Sequence, residues 1–150
     1  MLNIFVDADG SPVKQEVYRV AKRYGLKVTL VSNSPMRTPQ EKWLKIIVVS
    51  GQFNAADDWI VEHVGVDDIV ISGDIPLASR CLEKGAHVLA PTGRIFSKDS
   101  IGDALAKREI LSHLRDLGTI TGGPPPFDKR DRSRFLQRLD ETIHAIQRRK

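Results

Sequence analysis

Residues 2–25, LNIFVDADGSPVKQEVYRVAKRYG, set the reading of the whole chain. The apolar run LNIFV has the length of a strand and ends in two carboxylates, Asp7 and Asp9. Ser11 and Pro12 suit an N-cap and a first helical position. Val13, Val17, Val20, Ala21 and Tyr24 then recur at helical spacing, and Gly25 is a stop signal. The stretch reads strand, acidic turn, helix. Two negative charges one residue apart at the end of a buried strand admit three readings: metal ligands, a nucleophile, or caps of a turn.

The same alternation continues. KVTLVS (27–32) and KIIVVS (45–50) are β-branched runs, short enough to be strands buried on both faces. The proline-punctuated loop NSPMRTPQEKW (33–43) separates them. NAADDWIVEHVG (54–65) reads as a helix capped by Asn54, and DDIVIS (67–72) as a strand. DIPLASRCLEKG (74–85) is a helix with Asp74 as N-cap and Pro76 in its first turn, and AHVLAP (86–91) is a strand. IGDALAKREILSHLRDLG (101–118) is a longer helix. After the loop 119–131 comes an amphipathic helix at about 130–148, with Phe135, Leu136, Leu139, Ile143 and Ile146 as its apolar stripe. About five strands alternating with helices imply an α/β fold, a three-layer sandwich around a mostly parallel sheet. No linker or repeat divides residues 1–150, so one domain is expected.

The net charge of +4 is unevenly spread. Residues 128–150 hold eight bases and four acids, while residues 1–127 balance at fifteen of each. A basic C-terminal helix on a neutral body suits nucleic acid, or is simply a solvated face. No apolar run approaches the roughly 18 residues of a membrane span. The first apolar stretch has no basic flank and ends in Asp7, unlike a signal peptide. The single cysteine, Cys81, excludes an internal disulfide and fits a reducing cytoplasm; its helical phase makes it a core residue.

Ligands of open α/β sheets sit beyond the carboxyl ends of the strands, and acids cluster there. Asp7 and Asp9 follow the first strand, Asp57 opens the helix after the third, and Asp74 follows the fourth. At about 100° per residue, Asp57 falls on the stripe of Ile60, Val61 and Val64, whereas Asp58 turns away. Asp74 bears the same relation to Leu77 and Ala78. A core-facing carboxylate needs a partner, a cap or a cation. Oxygen-only ligands point to Mg²⁺ or Mn²⁺. The four histidines show no metal-ligand spacing and read as incidental.

NIFVDADGS resembles the first motif of haloacid-dehalogenase-type phosphatases, which implies Asp7 as nucleophile and Asp9 as acid/base. The late acidic pair of that family is missing, since ISGDIPLAS supplies one Asp. The whole chain more closely resembles the YaiI/YqxD family, placed among PIN-like domains. VDADGSPV, MRTP, FNAADDWIV, SGDIPLA, PTGR, TGGP and DRSRF carry the resemblance. Gly10 and Ser11 stand where that family usually has Ala-Cys, and Asn54 where it usually has Asp. PIN-like relatives are metal-dependent ribonucleases. The resemblance thus implies a nuclease in which Asp7, Asp9, Asp57 and Asp74, with Asn54 as a neutral oxygen, hold one or two Mg²⁺ or Mn²⁺ ions for attack on RNA phosphodiesters. Lys14 and Arg37 border that edge by sequence and would hold the phosphate backbone. Arg130, Arg132, Arg134 and Arg138 would add a second patch, with Arg130, Arg134 and Arg138 in one helical stripe. A non-catalytic module binding RNA or a nucleotide is the remaining alternative.

Overall fold

The computed structural model describes residues 2–9, 11–51, 54–118 and 126–149. Gly10 and most of the loop containing TGGP lie outside them. The order of elements is β1 (Asn3–Asp7), α1 (Lys14–Tyr24), β2 (Lys27–Ser32), β3 (Leu44–Val48), α2 (Ala55–His63), β4 (Ile69–Ile71), α3 (Ile75–Glu83), β5 (His87–Leu89), β6 (Ile95–Phe96), α4 (Lys98–Asp116) and α5 (Lys129–Arg148).

The strands form one sheet in the order β3-β2-β1-β4-β5-β6. The first five pair in parallel, with Val6 opposite Leu30 on one side and Ile71 on the other. β6 is antiparallel to β5 and makes the count six rather than about five. Its two residues are too few to show a period. The chain returns through a tight turn in which Ala90 and Arg94 bond across and Gly93 has φ 93°. β3 is an edge strand and only partly buried, so its apolar run is not a sign of burial on both faces.

Alternation along the strands builds two cores. Ile4, Val6, Leu30 and Ile71 meet α1 and α5 on one face. Phe5, Val31, Val70 and Val88 meet α2 and α3 on the other. The result is a three-layer α/β sandwich. Phe135, Leu139, Ile143 and Ile146 place α5 in the first core, each essentially inaccessible. Burying such a side chain contributes roughly 1.5–3 kcal/mol. Polar groups tie α5 to α1 at both ends. Arg132 donates to Pro12 O and to the buried Glu16, and Tyr24 bonds Asp140. α4 packs on α3 but buries only Ala104. Cys81 lies in the second core, and burial pushes its thiol up to about 12.

Two helix starts and the capping of a third differ from the sequence reading. α1 begins at Lys14, with Val13 at the cap position and no side-chain cap. Val13 is fully buried, and residues 12 and 13 form a turn, so Ser11 lies too early to cap. Asn54 does stand at the cap of α2, but its side chain makes no capping bond. α4 starts three residues earlier than expected, at a reciprocal Ser97–Ser100 capping box. No helix among the described residues is long and apolar enough to cross a membrane.

Two glycines test this architecture in opposite directions. A Cβ at Gly93 would stand 2.6 Å from Arg134 Cγ and 3.0 Å from its carbonyl carbon, at a positive φ. Gly93→Ala is expected to cost roughly 2–4 kcal/mol in urea unfolding. Gly102 is helical with open space around it, so Gly102→Ala should add up to about 1 kcal/mol.

Candidate functional site

β1 and β4 are neighbours, yet the chain leaves them on opposite faces, through α1 and through α3. A crevice opens at such a switch point beyond the carboxyl ends of the strands. Asp7 is the last residue of β1, and Asp74 caps α3 three residues after β4. Asp57 lies in the first turn of α2, whose helix packs beside β1 and β2.

Two buried serines at strand ends hold the acids. The Ser72 hydroxyl, after β4, donates to Asp7 Oδ2 at 3.0 Å and accepts the Asp74 N–H at 3.0 Å. The Ser32 hydroxyl, at the end of β2, donates to Asp9 Oδ1 at 2.7 Å. Asn33 N–H takes the other oxygen of Asp9 at 2.7 Å. Asp74 Oδ1 accepts from Leu77 N at 3.0 Å, which is its capping bond. Through these contacts Asp9 ties the loop after β1 to β2. Among the described residues, Asp7, Asp57 and Asp74 each keep an oxygen without a hydrogen bond.

The acids feel one another. Burial pushes the Asp7 carboxyl up to about 6, against the Ser72 hydrogen bond, with Asp57, Asp74 and Asp9 adding repulsion. Burial also raises Asp57, with Asp74 next. Asp58 instead points to an exposed ion pair with Arg80 at 2.9 Å. Among the described residues, no three carboxylates, imidazoles or thiols stand close enough to grip one metal ion as placed. The donor set is nonetheless all oxygen, which suits a hard divalent cation. Ser11 Oγ is also buried without a partner among the described residues, an unanswered polar atom in the loop that follows Asp9. Asn54 is exposed, three residues before Asp57.

The expected phosphate-binding residues separate. Lys14 Nζ donates to Ser11 O at 3.1 Å, beside the acidic loop. Arg37 is exposed on the loop after β2. Arg130 and Arg134 line a shallow depression on α5 with Arg138. Arg132 is occupied by Glu16 and Pro12 and lies over the Phe127 ring, so it braces α5 against α1. Three of the four histidines bond to protein groups away from the acids: His63 to Trp59 O, His87 with Asp67, His144 with Tyr24.

Sequence reading missed two groups. Ser32 and Ser72 look like ordinary strand-end serines until the topology is known. Lys107, Arg108 and Arg115 of α4, with Arg94 of the β5–β6 turn, line a groove of about 520 Å³ that reaches Asp74. Their signal was the helical spacing of Ala104, Arg108, Leu111 and Arg115 on one face.

The raised Asp7 carboxyl gives a sign to pH dependence. Its folded value lies above its unfolded one, so the folded state loses stability as pH rises from about 4 through about 6. The loss reaches roughly 3 kcal/mol once Asp7 is ionised. Asp7→Asn should raise the melting temperature by several degrees at pH 7.5 and leave it unchanged below pH 4, as read by differential scanning fluorimetry across pH.

Comparison with known proteins adds the family. Residues 5–145 match the family described as "Uncharacterized BCR, YaiI/YqxD family". The chain is 51% identical to a UPF0178 protein of Rhodospirillum centenum, over 99% of both chains. It is 53% identical to one of Paramagnetospirillum magneticum, over 99% of this chain and 98% of that one. A third, from Parvibaculum lavamentivorans, is 54% identical over 99% and 98%. No solved structure matches. With its acidic switch point and a match over nearly its whole length, the chain belongs to the YaiI/YqxD family.

Proposed function

We propose that the acidic edge is a divalent-metal site for hydrolysis of RNA phosphodiester bonds. One observation carries the reading: Asp7, Asp57 and Asp74 come from three different connections to the same sheet edge, where Asp57 and Asp74 add to the raised proton affinity of Asp7 and Asp74 adds to that of Asp57. Such a grouping opposes folding, and it persists in proteins where a site requires it. Asp7, Asp57 and Asp74 would hold the ion, with Asn54 at the mouth. Bound Mg²⁺ or Mn²⁺ would offset the carboxylate repulsion and supply Lewis acidity toward a phosphodiester. Ser72 orients Asp7, and Asp9 acts on the loop through Ser32 and Asn33. Lys14 stands at the same loop as a phosphate contact. SGDIPLA supplies one Asp where that phosphatase family has a late acidic pair, which favours this reading over a phosphatase with Asp9 as acid/base.

Mn²⁺ titration followed by electron paramagnetic resonance tests the site. Wild type should bind at least tenfold more tightly than Asp7→Asn/Asp74→Asn. Equal binding by the two overturns the metal site. Cleavage of a labelled single-stranded RNA should require Mn²⁺ or Mg²⁺ and stop with EDTA. A phospho-aspartate trapped at Asp7 would instead establish the phosphatase.

A further inference from the structure

Three concave surfaces share residues and run together. The groove reaching Asp74 is lined by Lys107, Arg108 and Arg115 of α4 and by Arg94. Arg94 also lines a second depression, of about 350 Å³, with Arg134 and Arg138 of α5. Those two arginines continue into a third, of about 470 Å³, with Lys129 and Arg130. The path therefore carries eight cations on two helices and one turn, joined where Gly93 packs against Arg134.

We propose that this path is a binding track for single-stranded nucleic acid, leading its phosphate backbone from α5 across Arg94 to the acids beside Asp74. Where the strand goes chemically rests on the metal-site reading above; its binding does not.

The charges are available. Among the described residues, Lys107, Arg108, Arg115, Arg94, Lys129 and Arg130 form no ion pair with a carboxylate. Arg134 and Arg138 reach acids only at 3.4 Å (Asp131) and 3.8 Å (Glu141), and Arg134 also donates to Thr92 O at 3.4 Å. Asp99, Asp103, Glu109 and Asp116 of α4 stay off the groove lining, so Asp74 is its one acid. A row of spaced cations matches a row of phosphates better than it matches a compact anion. Leu111, Ile75 and Ala104 give the first groove an apolar wall on which a base can rest. Its volume lies in the range, roughly 300–1,000 Å³, that encloses a small ligand. An unpaired nucleotide fits that scale, and a duplex does not.

The test is fluorescence anisotropy of a fluorescein-labelled single-stranded oligouridylate, in EDTA, over a series of salt concentrations. EDTA removes the metal site from the measurement. Arg94→Gln/Arg108→Gln/Arg138→Gln should weaken binding roughly 10- to 100-fold and flatten the slope of log affinity against log salt by about 2. Arg19→Gln/Lys22→Gln/Lys27→Gln, exposed on α1 and β2, should leave both unchanged. Thermal melting and Mn²⁺ titration of each variant establish that the fold and the acidic edge are intact. Equal loss in both triple variants, an unchanged salt slope, no binding by wild type at low salt, or tighter binding of a duplex overturns the track. So does displacement of the oligonucleotide by polyglutamate at equal charge, which would assign the surface to an acidic protein. Loss of Mn²⁺ binding in Asp7→Asn/Asp74→Asn with oligonucleotide binding retained separates the two sites.

Discussion

The parallel pairing of β1 with β4 is the constraint on which the rest of the molecule depends. Ile4, Phe5 and Val6 lie against Ile69, Val70 and Ile71, and β1 runs one residue further, to Asp7. The chain must leave β1 for one face and β4 for the other, because each face needs its own helices to cover it. A crevice opens between the two exits. Whatever residues follow the strands are gathered there, far apart in sequence and close in space. Asp7 and Asp74 meet for that reason, and the first turn of α2 brings Asp57 to them.

Holding these charges requires a second set of groups. Ser72 faces both ways, donating to Asp7 and accepting from the backbone at Asp74. It couples the end of β1 to the start of α3 through one hydroxyl. Ser32 does the corresponding work for Asp9 at the end of β2. The hydrogen bond to Asp7 works against the desolvation of its carboxyl but does not cancel it. The edge is therefore polarised and under electrostatic tension, while Ile4–Val6 and Ile69–Ile71 beneath it are apolar.

Much of this was legible before the fold was seen. The alternation of strand and helix in residues 2–91 gave the α/β class, and helical phase at about 100° per residue separated Asp57 from Asp58. Other features carried no local signal. β6 is two residues long, and no period can be read from two residues. Ser11 looked like a cap, but Val13 is drawn into the core and delays the helix. The burial of β3 was overestimated because an edge strand and a central strand can share one composition. Net charge concealed α4 altogether. Residues 98–116 carry four bases and four acids, so a count over the segment is neutral although three of its four cations line one groove. Counting instead drew attention to residues 128–150, where Arg132 proves to be a brace.

α5 also bears on how the chain comes to fold during synthesis. The core between the sheet and α1 closes only when Phe135, Leu139, Ile143 and Ile146 arrive. Until residues 129–148 clear the ribosome, Ile4, Val6 and Leu30 have α1 but lack half of their covering layer. A ribosome that stalls or terminates before that point releases a chain with an open apolar face, which is a substrate for chaperones and proteases. Asp7 and Asp74 are translated early, but the core on the α1 face of the sheet that holds them closes only after α5 has been made.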